Sequence, residues 1–117
     1  MNKITTSLLL ASVAAMLVAC SGQPVKIASV TDVSKIDTTR GRPISADAGG
    51  FQLLGFIPIN INSRQQRAYE ELLRAANGDE IADVKVSETW AYGYVGTTYW
   101  TVFQAKAYPR KPAVPKP

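Results

Sequence analysis

The sequence predicts an α+β fold, a small two-layer sandwich in which one helix covers an antiparallel sheet in the order β-β-α-β-β. Two observations predict it. One segment has apolar residues at helical spacing between clear start and stop signals. Two segments of alternating character follow it, separated by a short link that contains glycine. A chain of 117 residues holds one small domain of this kind, which we place at residues 25–108.

The first half of this domain contains two predicted strands. Residues 25–36 mix β-branched with polar side chains and predict the first strand. Residues 37–50, DTTRGRPISADAGG, are rich in Gly, Asp and Thr and predict a long loop. Residues 51–61, FQLLGFIPINI, predict a buried strand that bends or ends at Gly55 and Pro58, because proline cannot donate to a sheet ladder.

The predicted helix spans residues 63–77. Ser63 at the N-cap and Gln66 three residues later fit a capping box. The dipeptide Asn77-Gly78 is a typical helix stop. The apolar face of this helix would consist of Ala68, Tyr69, Leu72, Leu73, Ala75 and Ala76. This face is expected to cover the sheet.

A hairpin follows, with strands at residues 81–92 and 98–108 joined around YVGT. A two-residue turn would place Trp90, Tyr99 and Phe103 on the face that the helix covers. A three-residue loop would instead bring Trp100 and Val102 to the core. The sequence alone leaves both registers open.

Residues 109–117, PRKPAVPKP, form a basic, proline-rich tail. Prolines at every third position favour an extended polyproline helix without internal hydrogen bonds. Two interpretations stay open. The tail is either an end without a role, or a weak, salt-sensitive ligand for anionic envelope polymers or for a groove on a partner protein.

The N-terminal segment has the features of a secretory signal. A positive charge at Lys3 precedes an apolar run at residues 8–18, which is shorter than the ~20 residues that span a bilayer. The residues that follow, LVAC at Leu17 to Cys20, resemble the lipobox of bacterial lipoproteins.

The lipobox resemblance implies a specific modification. The sulfur of Cys20 would carry a diacylglycerol, residues 1–19 would be cleaved as a signal peptide, and the new amino group would be acylated, with palmitate as the expected fatty acid. Residues 20–24 would then form a lipidated tether. Ser21 after the cysteine favours the outer membrane of a Gram-negative envelope, with the domain facing the periplasm.

Residues 50–107 also resemble the TRL-like domain of small Gram-negative lipoproteins. The resemblance is carried by an apolar strand with glycine, a helix that begins near a serine, an exit of the form A…GD.I.DV.V, and a hairpin containing Gly-Thr. Where that family has a run of small residues before the helix, this chain has IPIN. The resemblance implies no catalytic residues.

Composition excludes several classes of function. The chain has no histidine and one cysteine, and it lacks a nucleophile elbow, a P-loop and a dinucleotide fingerprint. We therefore expect no enzyme activity, no cofactor and no metal site. Asp79, Glu80 and Asp83 are the nearest to a cation site, and a solvated turn is the favoured interpretation. Residues 20–109 hold nine basic and nine acidic side chains, which argues against nucleic acid as a partner.

Aromatic and basic residues supply the candidate contact surface. Trp100, Tyr94 and Tyr99 lie in one hairpin and could contact a sugar, a lipid interface or a protein. Arg40 and Arg42 could hold a phosphate or could simply be solvated. The sequence thus predicts a non-catalytic binding or assembly module with an envelope protein or glycan as partner. The alternative is an accessory subunit of a larger envelope complex.

Overall fold

The computed structural model describes residues 2–18, 25–30 and 32–112. Its elements are helix α1 (Lys3–Val18), two 3-10 turns (Val33–Lys35 and Thr38–Arg40), strands β1 (Arg42–Leu53) and β2 (Ile57–Ile59), helix α2 (Arg64–Ala76), and strands β3 (Glu80–Gly93) and β4 (Gly96–Tyr108). The α+β class is confirmed. The order α-β-β-α-β-β differs from the predicted one by helix α1. The predicted lipidation site Cys20 and the tether at 20–24 lie outside the described residues. The last part of the predicted tail, residues 113–117, also lies outside them.

The four strands form a single antiparallel sheet in the order β2-β1-β4-β3. The central pair, β1 and β4, is in register from Arg42 opposite Ala107 to Leu53 opposite Gly96. Helix α2 packs on one face of this pair. Within the described parts of the chain, neither helix is long and apolar enough to cross a membrane.

The prediction of a long loop at residues 37–50 was wrong, since most of this segment belongs to the central strand β1. Ile44, Ala46 and Ala48 alternate with exposed residues and are buried under α2. Small side chains at these positions let the helix lie close to the sheet. The Gly, Asp and Thr residues of the segment gave it its loop-like composition.

The predicted first strand at residues 25–36 was also wrong. Among the residues of this segment that the structure describes, the only β-type pairing is an isolated bridge between Ile36 and Arg110. Residues 25–30 instead run beside α2, where the Ala28 N–H donates to the Tyr69 hydroxyl at 2.9 Å and the Val30 N–H donates to the Ile81 carbonyl at 2.9 Å. Ile36 is 2% exposed, so its β-branched side chain serves packing outside any strand.

The segment at 51–61 is a hairpin and not one strand. β1 ends at Leu53, a turn follows in which Leu54 and Gly55 have positive φ angles of 53° and 79°, and β2 begins at Ile57. The bend predicted at Gly55 is confirmed. Pro58 lies within β2, which is an edge strand and tolerates a missing N–H.

The predicted helix is confirmed as α2. Asn77, with φ 52°, ends it in the left-handed conformation. Ser63 occupies the N-cap position without a side-chain cap, and Gln66 donates to Glu70 at 2.9 Å instead of closing a capping box. The helix therefore gains its stability from its buried face more than from its first turn.

The hairpin register settles which aromatic residues face the helix. β3 and β4 are joined by a two-residue turn, with Gly93 opposite Gly96 and Val86 opposite Phe103. Phe103 is 2% exposed, and its ring centroid lies 5.9 Å from that of Tyr69. The two-residue alternative is therefore the correct one, and Trp100 and Val102 point away from the core.

The first residues of the tail are hydrogen-bonded, which contradicts the expectation of a free polyproline helix over its whole length. The Asp37 N–H donates to the Pro109 carbonyl at 2.9 Å, and the Lys111 N–H donates to the Lys35 carbonyl at 3.0 Å. The segment that follows the domain is thus tied to the segment that precedes β1.

Candidate functional site

The sheet has two unequal faces. Helix α2 covers the inner face, and none of the described elements packs on the outer face. Cross-strand pairing places an apolar group there, which we call the outer patch, consisting of Phe51, Leu53, Ile57, Ile59, Trp100 and Val102. Trp100 is 44% exposed and Ile59 is 43% exposed, so the patch is open to solvent.

Two glycines seat the rings of the outer patch against the sheet. A Cβ at Gly49 would lie 2.9 Å from the Trp100 ring, and one at Gly96 would lie 2.7 Å from Cζ of Phe51. Both rings therefore lie close over backbone that has no side chain. The patch is low and broad, which suits contact with another surface.

The sequence identified only Trp100 and Val102 as members of this surface. The other four come from β1 and β2, because β1 pairs with β4 and carries its own hairpin partner with it. The signal was present as period-two alternation at Phe51 and Leu53 and again at Ile57 and Ile59, with the Leu54-Gly55 turn between the two pairs.

The structure separates the three aromatic candidates. Trp100 lies on the outer face. Tyr99 lies on the inner face, where its hydroxyl donates to Oε1 of Gln52 at 3.2 Å and the Arg64 guanidinium sits 5.4 Å from its ring centroid. Tyr94 lies in the turn between β3 and β4 and is fully exposed. They do not form one binding site.

Arg40 and Arg42 also have different surroundings. Arg42 donates to the last carbonyls of α2, at 3.0 Å to Ala75 and 2.8 Å to Ala76, and its Nη2 lies 3.3 Å from Oδ2 of Asp79. A cation at this position complements the negative end of the helix dipole. Arg40 is exposed at the end of the second 3-10 turn. The guanidinium of Arg42 already binds acceptors within the protein, which weakens the case for a phosphate site.

The carboxylates after α2 are also separated. Asp79 pairs with Arg42, Glu80 accepts from Nε of Arg110 at 2.6 Å, and Asp83 occupies a bulge in β3 with φ 53°. In the parts of the chain that the structure describes, no group of three or more acidic or cysteine side chains could hold a metal ion.

Glu88 forms the polar centre of the inner face. Its carboxylate accepts hydrogen bonds from Arg64 at 2.9 Å, from Gln65 at 3.0 Å and from the fully buried Thr101 at 2.8 Å. Partial burial raises the pKa of Glu88, but these hydrogen bonds and the charge of Arg64 outweigh it, so the pKa lies below its ordinary value of 4.5. Arg64 is the cation paired with Glu88, and the group joins α2 to the sheet.

Comparisons of the chain with protein-family models, with curated proteins and with solved structures each give no significant match.

Proposed function

We propose that the chain is a lipid-anchored envelope lipoprotein whose periplasmic domain is a non-catalytic binding or assembly module. In this proposal residues 1–19 are the signal peptide and acylated Cys20 holds the protein in the outer membrane. The LVAC sequence supports the anchor. Residues 2–15 are all exposed to solvent, which also supports the anchor. Cleavage of that part of α1 would remove none of the buried core.

The observation that carries the binding role is the outer patch. Apolar side chains of three neighbouring strands share one uncovered face there, and Trp100 lies among them. Polar side chains border the patch on that face, with Ser45 and Asp47 on β1 and Gln104 and Lys106 on β4. An apolar centre with a polar rim is typical of a protein contact, and an exposed tryptophan also suits stacking on a sugar ring.

An accessory subunit of a larger envelope complex is the second candidate, and the edge of the sheet favours it. β3 is an outer strand, and within the described part of the chain a main-chain bond reaches it from outside the sheet at one residue, from the Val30 N–H to the Ile81 carbonyl. The bulge between Ala82 and Lys85 protects the first part of this edge. The remainder, toward Gly93, offers main-chain groups to which a partner strand could add.

Site-specific photo-crosslinking in the native envelope tests both candidates. A photoreactive phenylalanine analogue replaces Trp100 on the outer face or Val86 on the inner face of the edge strand. Both residues are 44% exposed, so they form a matched pair. Cys20→Ala in each background reports whether the contact requires the anchor.

A discrete protein or glycan adduct from position 100 alone supports the binding module and the outer patch. An adduct from position 86 with one protein supports strand addition and the accessory subunit. Absence of adducts at both positions contradicts both candidates. Mass spectrometry of the N-terminal peptide tests the anchor separately, because an unmodified Cys20 would refute the lipoprotein assignment.

A further inference from the structure

We propose that the end of the sheet formed by its two hairpin turns inserts into the headgroup region of the membrane that holds the anchor. This end, which we call the tip, comprises the turn at residues 54–56, the turn at Tyr94-Val95 and the adjoining Trp90 and Tyr92. The inference rests on the proposed acylation of Cys20. It adds a second contact between protein and lipid, made by the folded domain itself.

The tip carries no charge. Residues 51–63 and 89–105 contain no Asp, Glu, Lys or Arg, although charged residues are spread over the remainder of residues 25–112. The two turns lie side by side, because the Leu54 N–H donates to the Val95 carbonyl at 2.8 Å. Two of the charged side chains that border these segments, Arg64 and Glu88, pair with each other at 2.9 Å. Inserting the tip would therefore move no unpaired charge of these segments into the interface.

The tip also exposes large apolar and aromatic side chains. Their exposed fractions are 60% for Leu54, 71% for Phe56, 59% for Trp90, 79% for Tyr92 and 59% for Val95, and Tyr94 is fully exposed. The rings of Trp90 and Tyr92 pack edge to face, with centroids 4.7 Å apart. Tryptophan and tyrosine favour the level of the lipid headgroups, because each ring combines an apolar body with a polar group.

The direction of residues 25–30 supports an anchor on the side of the tip. Ala28 contacts Tyr69 in the middle of α2, and Val30 contacts Ile81 at the start of β3, which is the end of the sheet opposite the tip. Residues 25–30 therefore run away from the tip, with Ala28 closer to it than Val30. Four residues lie between Cys20 and Val25, so the five Cα steps between them reach about 18 Å at most. A domain on so short a tether must lie against the bilayer, and the uncharged tip is the surface that suits contact.

Fluorescence quenching by brominated lipids tests this orientation, because the chain has two tryptophans. Trp90 lies at the tip and Trp100 lies on the outer face, so each can serve as the only reporter. The acylated protein is reconstituted into phosphatidylethanolamine–phosphatidylglycerol vesicles that contain brominated acyl chains. One variant is Trp100→Phe, which reports on Trp90, and the other is Trp90→Phe, which reports on Trp100.

We expect brominated lipid to quench Trp90 roughly twofold more than Trp100. Phe56→Ser should reduce the quenching of Trp90, because it weakens insertion of the neighbouring turn. Val33→Ser is the matched control, since Val33 is 65% exposed but lies in the 3-10 turn before β1. That control should leave the quenching of Trp90 unchanged.

Several outcomes would overturn the inference. Equal quenching of both reporters, or stronger quenching of Trp100, would show that the tip does not face the bilayer. A blue-shifted Trp90 that brominated lipid does not quench would show that a second copy covers the tip. Mass spectrometry of the reconstituted sample separates these failures from failure of the anchor. With Cys20 acylated they refute the inference alone, and an unmodified Cys20 refutes the proposed function as well.

Discussion

Glu88 is the residue at which helix and sheet are joined by polar contacts. It lies opposite Thr101 in the β3–β4 register and receives Arg64 and Gln65 from the first turn of α2. A carboxylate among apolar neighbours requires such partners, because an unpaired charge there would lose much of its solvation. The pairing fixes the start of α2 over the strand that contributes Glu88.

Glu88→Gln should reduce the dependence of stability on acid pH. The pKa of Glu88 is lowered in the folded protein, so its contribution is present above the ordinary value of 4.5 and is lost as pH falls through the lower folded value. Its side chain is 37% exposed, so solvent screening limits the contribution to about 1 kcal/mol. The free energy of unfolding, measured by urea titration between neutral and acid pH, provides the test.

The wild-type protein and the glutamine variant should differ most at neutral pH and converge in acid. Asp32 and Asp37 also have lowered pKa values, because Ser34 and Thr39 donate hydrogen bonds to them. Their contribution is common to both proteins and cancels in the difference. A difference independent of pH would show that Glu88 acts through packing and not through its charge.

Arg42→Ala should destabilise the domain, whereas Arg40→Ala should not. Arg42 satisfies two carbonyls at the end of α2 and faces Asp79, and its removal should cost about 1–2 kcal/mol. Arg40 is exposed and serves as the matched control. Denaturant midpoints of the two variants provide the comparison. Equal midpoints would contradict the capping role of Arg42.

At the scale of elements, the sequence predicted what short-range chemistry determines. Helix α2 was recognisable because its apolar spacing and the stop at Asn77 are local signals. β1 was not, because its buried positions Ile44, Ala46 and Ala48 are mostly small, and the Gly and Asp residues among and after them are typical of a loop. The strand predicted at residues 25–36 was wrong for the opposite reason, since its β-branched residues are not paired in a strand.

Only part of the outer patch could be predicted from the sequence, for a related reason. Trp100 followed from the alternation within one hairpin. Its companions on β1 and β2 required the sheet order, which depends on pairing between residues far apart in the sequence. Local patterns assign a residue to a face of its strand, but they do not say which strands share that face.

Gly96→Ala should destabilise the domain where β1 pairs with β4, and Gly93→Ala should not. A Cβ at Gly96 would lie 2.1 Å from the main-chain oxygen of Gln52, so β1 and β4 would have to separate locally. We expect a loss of about 1–3 kcal/mol. At Gly93, directly opposite, the nearest atom would be 3.5 Å away, an ordinary contact. Thermal unfolding of the two variants measures the contrast, and equal stability would contradict this tight fit.

At the scale of the whole molecule, the two ends of the domain are tied together. Residues 35–37 bond to residues 109–111 through their main chains, and Arg110 pairs with Glu80. A chain shortened after Tyr108 should therefore be less stable than one shortened after Pro112, by about 1–3 kcal/mol. The difference between the two isolates residues 109–112. Chemical denaturation measures it, and no difference would show that this pairing contributes nothing to the fold.

Because β1 pairs with β4, the sheet cannot form until both strands have been synthesised. Arg42 and Ala107, 65 positions apart, are direct neighbours in the sheet, and closing so long a loop slows formation of the native contacts. The central strand leaves the ribosome well before its partner exists. The nascent chain cannot complete its core until β4 has been synthesised. Under the proposed lipoprotein assignment the chain would be exported unfolded, and this delay would keep it competent for translocation until β4 is made.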